Sequence, residues 1–197
     1  MNVGPVFVAA CAMLAIGFAA AVWLTESEDS LNRDDAGARA AFQQAADVFR
    51  HPRCANCHAP ATHPLQGDNG RRHVMSIRRG PDGHGRAGMT CANCHREGNA
   101  DRPRLPPGAP NWHMPPTDMP MVFHARSDGA LCEQLKDRAQ NGDRSLAEIV
   151  KHIRDDPLVA WSFDPGPGRT PVPMSHATFQ ALMSQWAAKG AACPPEA

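Results

Sequence analysis

The pentapeptide Cys-Ala-Asn-Cys-His occurs twice in this chain, and this repetition limits the possible folds and chemistry more than any other feature. The first copy occupies residues 54–58 and the second residues 91–95, so the two copies begin 37 positions apart. Four of the seven cysteines lie in these copies. Each copy ends in a histidine that directly follows the second cysteine. An interpretation must therefore explain both the cysteine pairs and the adjacent imidazoles.

The C-x-x-C-H pattern is typical of covalent attachment of c-type haem. The two thiols form thioethers with the haem vinyl groups, and the adjacent histidine becomes a ligand of the iron. The pattern therefore predicts two haem c groups as cofactors. The predicted attachment residues and proximal iron ligands are Cys54, Cys57 and His58 at the first site and Cys91, Cys94 and His95 at the second.

Two other uses of the cysteine pairs remain open at this point. The four thiols could bind one structural zinc ion, although the 33 residues between the pairs exceed the usual spacing of a zinc ribbon. Each pair could instead form a redox-active dithiol, but the sequence predicts no strand and helix around either pair. Because neither alternative requires the histidine after each pair, haem attachment explains the pattern best.

The first 25 residues form a distinct segment. Residues 3–24 contain 22 consecutive uncharged positions, long enough for a helix to span a bilayer, and acidic residues follow directly. A cleaved signal peptide is the alternative, suggested by the alanines at positions 19–21. Since c-type haem is attached on the far side of the bacterial inner membrane, we expect residues 26–197 on the periplasmic side. The domain would be anchored there by its N-terminal helix, or released into the periplasm after cleavage.

Composition limits the fold and the partners of this domain. The chain has 19 prolines, 16 glycines, no tyrosine and 7 phenylalanines, which predicts a small side-chain core and short elements. Ten histidines, nine methionines and seven cysteines point to a metal or metal cofactor as the missing buried bulk. A formal net charge of zero argues against nucleic acid as a partner. We expect a mainly α, loop-rich domain organised around two haems.

The segment from about residue 35 to residue 125 is predicted to hold both haems. An apolar face with helical periodicity follows Asp34 or Asp35, ends at His51, and should pack on the first haem. Residues 60–90 are rich in glycine and predict tight turns rather than regular elements. Residues 102–120 are rich in proline and predict an extended coil that covers a haem.

Residues 126–197 are predicted to form a helical C-terminal part. Helices are expected to begin at Ser127, at Ser145, where Glu148 completes a capping box, and at Ser175. Cys132 and Cys193 remain once the haem thiols and Cys11, in the apolar N-terminal segment, are set aside. In an oxidising compartment such a pair is most simply a disulfide, and two buried free thiols are the alternative.

The second axial ligand of each iron decides the chemistry of the haem. A second histidine gives a low-potential electron carrier, methionine raises the potential, and an open position permits catalysis. His73 and His84 are the first candidates for distal ligands, because their glycine-rich loop is tethered at both ends by a haem motif. His113 and Met114 come next, since proline and tryptophan flank them. His152, on the face of a helix, is interpreted as a core or surface histidine.

Residues 51–194 resemble a family of small proteobacterial dihaem c-type cytochromes. The resemblance rests on the two CANCH motifs and on five further segments: PLQGD at 64–68, RGPDGHG at 79–85, PPGAPNW at 106–112, LCEQLKD at 131–137 and GAACP at 190–194. Members of that family are associated with periplasmic molybdenum hydroxylases of the isoquinoline 1-oxidoreductase kind. The resemblance implies that the protein accepts electrons from a dehydrogenase and passes them to the respiratory chain.

The expected function is therefore electron transfer and not enzyme catalysis. A dihaem electron-transfer subunit of a periplasmic nitrate-reductase-like system is the main alternative within that class. A peroxidase-type haem enzyme with one open axial site is a further alternative, although the chain is short for two cytochrome domains. The expected partners are a redox protein and, through the N-terminal helix, the membrane. Arginines at 71, 72, 78 and 79 could dock an acidic partner, but solvated surface or pairing with haem propionates is the favoured interpretation of such a cluster.

Overall fold

The computed structural model describes residues 33–60, 62–103 and 105–196. Seven α-helices account for most of its regular structure, two short 3₁₀ helices span Val74–Ser76 and Cys91–Asn93, and four strands of two residues each form two hairpins. The helices are α1 (Asp35–Arg50), α2 (Pro52–Ala55), α3 (Asp128–Lys136), α4 (Arg138–Asn141), α5 (Leu146–Asp155), α6 (Pro157–Phe163) and α7 (His176–Ala188). The mainly helical, loop-rich class predicted from composition is confirmed for the described residues.

Helix α1 forms where the sequence predicts it. The Asp34 side chain accepts a hydrogen bond from the Gly37 backbone N–H and so caps the first turn. His51 is the C-cap residue, and Pro52 opens the short helix α2. The expected apolar face of α1 is buried, and it packs mainly against α7.

The glycine-rich segment between the pentapeptides contains more regular structure than turns alone. Leu65–Gln66 (β1) pairs antiparallel with Arg71–Arg72 (β2), and Gly85–Arg86 (β3) pairs with Met89–Thr90 (β4). Each hairpin has only two residues in each strand, which is too short for alternating hydrophobicity to reveal it. The expectation that residues 60–90 lack elements was therefore wrong at both hairpins.

The C-terminal part has five helices where the sequence analysis predicts three. The capping residues Ser127, Ser145 and Ser175 are confirmed, and the reciprocal bonds between Ser145 and Glu148 form a capping box. The two additional helices, α4 and α6, have four and seven residues. They are too short to display a helical repeat of apolar positions, so periodicity does not detect them.

An aromatic chain runs from the helical core towards the first pentapeptide. Phe42 lies 5.3 Å from Trp186 between ring centroids, and Phe49 lies 5.2 Å from Phe123. Phe123 in turn stacks on the His58 ring. These contacts fix the position of the first pentapeptide on the surface of the helical core.

Cys132 and Cys193 form a disulfide, as predicted. The bond joins α3 to the segment that follows α7. The predicted N-terminal membrane helix or signal segment lies outside the described residues. Among the described residues, no helix has the length and apolar character needed to cross a membrane.

Candidate functional site: two histidine-lined cavities

The first pentapeptide covers the end of α2 and the turn that follows it. The backbone N–H of His58 donates to the Cys54 carbonyl at 3.1 Å, so the motif continues the helical path. Cys54, Cys57 and His58 all line one cavity, whose walls also include residues of α1, α5 and α6. The helical geometry therefore directs both thiols and the imidazole to the same cavity.

The His58 ring is fixed in one orientation. Its Nδ1 lies 2.8 Å from the Met121 carbonyl oxygen, and its face stacks on Phe123 at 3.9 Å between centroids. A carbonyl oxygen can only accept a hydrogen bond, so Nδ1 is the protonated nitrogen and Nε2 carries the lone pair. Burial lowers the pKa of His58 to about 3, which keeps the ring neutral.

The histidine of the second pentapeptide is oriented like His58 but has different neighbours. Its first three residues, Cys91–Asn93, form a 3₁₀ turn after β4, and the His95 Nδ1 lies 2.8 Å from the Pro107 carbonyl oxygen. The His95 ring stacks on Trp112, with centroids 4.2 Å apart and planes 6° from parallel. Burial lowers the pKa of His95 as well. Both motif histidines thus donate Nδ1–H to a backbone carbonyl and keep Nε2 available to bind a metal ion.

The second cavity has the size of a cofactor site. It encloses about 770 Å³ and is lined by Cys91, Cys94 and His95, together with His73. Sites for small molecules and cofactors typically enclose roughly 300–1,000 Å³. The cavity at the first pentapeptide has a smaller volume, about 190 Å³.

The two cavities are adjacent. Five residues line both of them: Arg53, Cys57, Trp112, Met114 and Trp161. Trp112 and Trp161 contact each other edge to face, with ring centroids 4.8 Å apart. The shared wall is therefore one side chain thick in places, and groups held in the two cavities would be near neighbours.

His73 and His95 both line the second cavity, and their rings meet edge to face with planes 60° apart. The ring centroids are 6.1 Å apart, and the His73 Nδ1 lies 2.9 Å from the Val74 carbonyl oxygen, which leaves Nε2 with the lone pair. A metal–imidazole bond of about 2 Å, with the ring centroid about 1 Å further, places two opposed ligand rings about 6 Å apart. The observed separation matches that geometry.

His84 and His113 lie together outside the second cavity. Their rings stack at 5.2 Å, and His84 does not line either cavity. The Nδ1 of His84 contacts the Asp82 carbonyl at 3.1 Å, and its Nε2 contacts the Asn111 side chain at 3.0 Å. Both ring nitrogens are thus engaged, and the structure does not bring His84 to a position opposite either motif histidine.

His113 and Met114 do line the first cavity. The His113 Nδ1 contacts the Asn111 carbonyl at 2.6 Å, and Met114 is 3% exposed and lies in the wall shared with the second cavity. Three further residues with sulfur or imidazole groups line the first cavity: Met119, Met121 and His152.

His152, which the sequence predicts to be a core or surface histidine, lines the first cavity. A signal was present, because Ile149, His152, Ile153 and Asp156 are spaced three and four positions apart and so share one helix face. That pattern is also typical of a helix that packs on an ordinary core. Only the fold reveals that this face borders a cavity containing Cys54 and His58.

The thiols of the first pentapeptide do not have the properties of a reactive dithiol. Burial raises the pKa of Cys54 to about 12 and that of Cys57 to about 11, whereas redox-active cysteines have lowered pKa values. Nor do the four thiols converge: within the described ranges, no group of three or more His, Cys, Asp or Glu side chains is placed to hold a metal ion. Burial of the first pair therefore does not support a dithiol there, and the separation of the two pairs does not support a four-thiolate zinc site.

Arg79 differs from the other arginines of its cluster. It is 1% exposed, and it donates from Nη1 to the Pro115 carbonyl and from Nη2 to the Ala59 carbonyl. The expectation that it could dock an acidic partner was therefore wrong, because its side chain joins two loops inside the domain. Arg71 is exposed and lines the second cavity, as does Arg169.

No family model matches the chain, and searches of curated proteins and of solved structures return no match either.

Proposed function

We propose that this protein is a periplasmic electron-transfer protein with two covalently bound c-type haems. It would relay electrons from a dehydrogenase to the respiratory chain. The observation that carries the proposal is the common orientation of His58 and His95. Each ring donates Nδ1–H to a backbone carbonyl and lies beside its own cysteine pair at a cavity. This is the arrangement in which a histidine serves as a metal ligand.

The residues that line the two cavities fit this cofactor. Cys54 and Cys57 would form the thioethers at the first site, and Cys91 and Cys94 those at the second. His58 and His95 would bind iron through Nε2, and His73 would be the second ligand opposite His95. When bound, each haem would supply a one-electron redox couple, which is the chemistry that relaying electrons between a dehydrogenase and a respiratory carrier requires. Because the first cavity has the smaller volume, its lining side chains must move apart to admit a haem.

The surrounding side chains exclude water and balance charge. Phe123 and Trp112 each stack on one proximal histidine and hold its ring plane. Arg144 lines the first cavity, and Arg71 and Arg169 line the second, so each site has a cation available for the carboxylates of a cofactor. Burial of an iron-binding imidazole and a nearby cation both influence the reduction potential.

The adjacent cavities favour a carrier over the peroxidase-type alternative. Groups held on the two sides of the wall of Trp112, Met114 and Trp161 would be near neighbours, as electron exchange between them requires. A peroxidase needs an open axial position, whereas His73 lines the second cavity together with His95. The same features suit a dihaem subunit of a nitrate-reductase-like system, so the identity of the electron donor must come from binding and turnover experiments.

The proposal is tested by counting covalent haems in the full chain, produced in a host that matures c-type cytochromes. The expected result is two haems for each chain, measured by pyridine haemochrome absorbance and by the mass of the denatured protein. The double variants Cys54→Ala/Cys57→Ala and Cys91→Ala/Cys94→Ala should each retain one haem. A chain that carries no covalent haem, or that carries zinc in its place, would contradict the proposal.

A further inference from the structure

We propose that His152 is the iron ligand opposite His58 at the first haem site. The inference rests on the proposed function, because it assigns a residue to a cofactor that the function requires. It places one axial ligand in the helical C-terminal part, which the sequence analysis separates from the haem module.

His152 lies on a packed face of α5 that borders the first cavity. Ile149, His152 and Ile153 all line the first cavity, and so does Asp156 directly after the helix ends. Ile149 and Ile153 are each 4% exposed, so this face of α5 is packed and its position is fixed. His152 is the only residue of this face with a nitrogen that can bind a metal ion. A helix held in this way presents a ligand at a defined place in the cavity.

His152 also contacts Asp156. The His152 Nδ1 lies 3.4 Å from the Asp156 carboxylate, which can only accept a hydrogen bond. A carboxylate at this distance favours a proton on Nδ1, which would leave the lone pair on Nε2. Asp156 is fixed in turn, because it caps α6 by accepting from the backbone N–H groups of Leu158 and Val159. Carboxylates that orient a metal-binding histidine in this way are common in metalloproteins.

The other candidates in the first cavity are placed less well. His113 stacks on His84, which lies outside the cavity lining, so its ring is held at the edge of the site. Met114 lies in the wall between the two cavities. The Met119 sulfur packs against Gly142, because a Cβ added at that glycine would lie 2.8 Å from the sulfur. His113 has a backbone partner for its Nδ1, the Asn111 carbonyl at 2.6 Å, but no carboxylate, and it lies on a loop and not on a packed helix face.

The assignment has a consequence for the chemistry of both sites. With His58 and His152 at one iron, and His95 and His73 at the other, both haems would have two imidazole ligands. Two histidine ligands give a lower potential than a histidine and a methionine, and they leave no open position for a substrate. The chain would then contain two similar low-potential centres that suit electron transfer.

Electron paramagnetic resonance and near-infrared spectra of the oxidised full chain test the assignment. The wild-type protein should show two low-spin haems and no methionine-to-iron band. In His152→Ala, one of the two low-spin signals should become high-spin and return to low-spin when imidazole is added. In His152→Met, a methionine-to-iron band should appear and one of the two potentials should rise. His113→Ala tests the other imidazole that lines this cavity and should retain both low-spin signals. His124→Ala, at an exposed histidine that lines neither cavity, is the matched control.

Asp156→Asn tests the orienting role separately. Asparagine caps a helix as well as aspartate does, so α6 should stay intact. Both haems should remain low-spin, but loss of the carboxylate makes the His152 imidazole a weaker electron donor, so one potential should rise. Two unchanged potentials would contradict the orienting role of Asp156.

The outcomes separate this inference from the proposed function. If His152→Ala and His152→Met both keep the wild-type spectrum in a protein with two haems, His152 is not a ligand, although the dihaem function stands. If His113→Ala loses a low-spin signal instead, His113 is the ligand and the assignment is wrong. If the wild-type chain contains no haem, both the function and the assignment fail.

Discussion

At the scale of single residues, Gly83 fixes the crossing of two loops at the wall between the cavities. Its carbonyl accepts a hydrogen bond from the Met114 backbone N–H at 3.0 Å, and its φ is +84°. A Cβ at this position would lie 1.9 Å from the Met114 carbonyl oxygen. Only glycine allows the two backbones to approach so closely.

We expect Gly83→Ala to lower the free energy of unfolding by about 3 kcal/mol, because it combines left-handed backbone strain with a collision against backbone. Urea unfolding followed by far-UV circular dichroism measures the change. Gly88→Ala is the matched control: its φ is +77°, but nothing lies within 4 Å of the added Cβ, so only the strain of about 1 kcal/mol applies. Equal losses of unfolding free energy in the two variants would show that the two loops are not tightly packed where they cross at Gly83.

At the scale of elements, the start of α5 is fixed by its capping box. The backbone N–H of Ser145 donates to the Glu148 carboxylate at 2.7 Å, and the Glu148 backbone N–H donates to the Ser145 hydroxyl at 3.3 Å. The same helix carries Ile149 and His152 to the first cavity. The two reciprocal bonds therefore help to hold the first site as well as the helix.

The Glu148 cap should make stability depend on pH. The hydrogen bond from the Ser145 backbone is the main cause that lowers the pKa of Glu148 below its usual value of 4.5. A lowered folded-state pKa stabilises the fold above the usual value, and this contribution is lost as pH falls through the lowered one. The wild-type protein should therefore be more stable than Glu148→Gln at neutral pH, and the difference should shrink below about pH 4.

Urea unfolding of the wild type and Glu148→Gln over a pH series measures this difference. Glu133→Gln is the matched control, because it removes an exposed carboxylate on α3 that has no capping role. A difference between Glu148→Gln and wild type that stays constant from neutral to acid pH would mean that the cap does not titrate with folding.

At the scale of the whole molecule, the disulfide joins parts of the chain that are distant in sequence. Cys132 and Cys193 are 61 positions apart, and the loop between them contains α5, with His152, and α7. Helix α7 packs against α1, which leads into the first pentapeptide. The disulfide therefore supports the packing that positions the first cavity.

Removal of the disulfide in Cys132→Ala/Cys193→Ala should lower the free energy of unfolding by about 4 kcal/mol, as the chain-entropy model gives for a loop of this length. Alanine is the appropriate replacement because Cys132 is fully buried, and a hydroxyl there would need a partner. Urea unfolding with and without a reductant measures the effect. A reductant should destabilise the wild type but not the variant, and a loss below about 1 kcal/mol would contradict the expected role.

The helices with capping residues and long apolar faces could be predicted from the sequence. Ser127, Ser145 and Ser175 begin helices because their hydroxyls accept backbone N–H bonds, a signal that is local and independent of the fold. The short helices α4 and α6 and both hairpins were missed, because elements of two to seven residues have too few positions to show a period.

The residues of the candidate site also divide into those that the sequence predicts and those that only the fold brings together. By itself, the sequence determined the two C-x-x-C-H motifs and predicted the pairing of Cys132 with Cys193. A motif of adjacent residues can be identified without the fold, and the pairing follows because only two cysteines remain outside the motifs and the N-terminal segment. Only the tertiary structure decided that His73 lines the same cavity as His95, that His84 lies apart, that Arg79 is buried and that His152 borders the first cavity. The physical reason is that a partner across a cavity is set by the path of the whole chain, which no local pattern encodes.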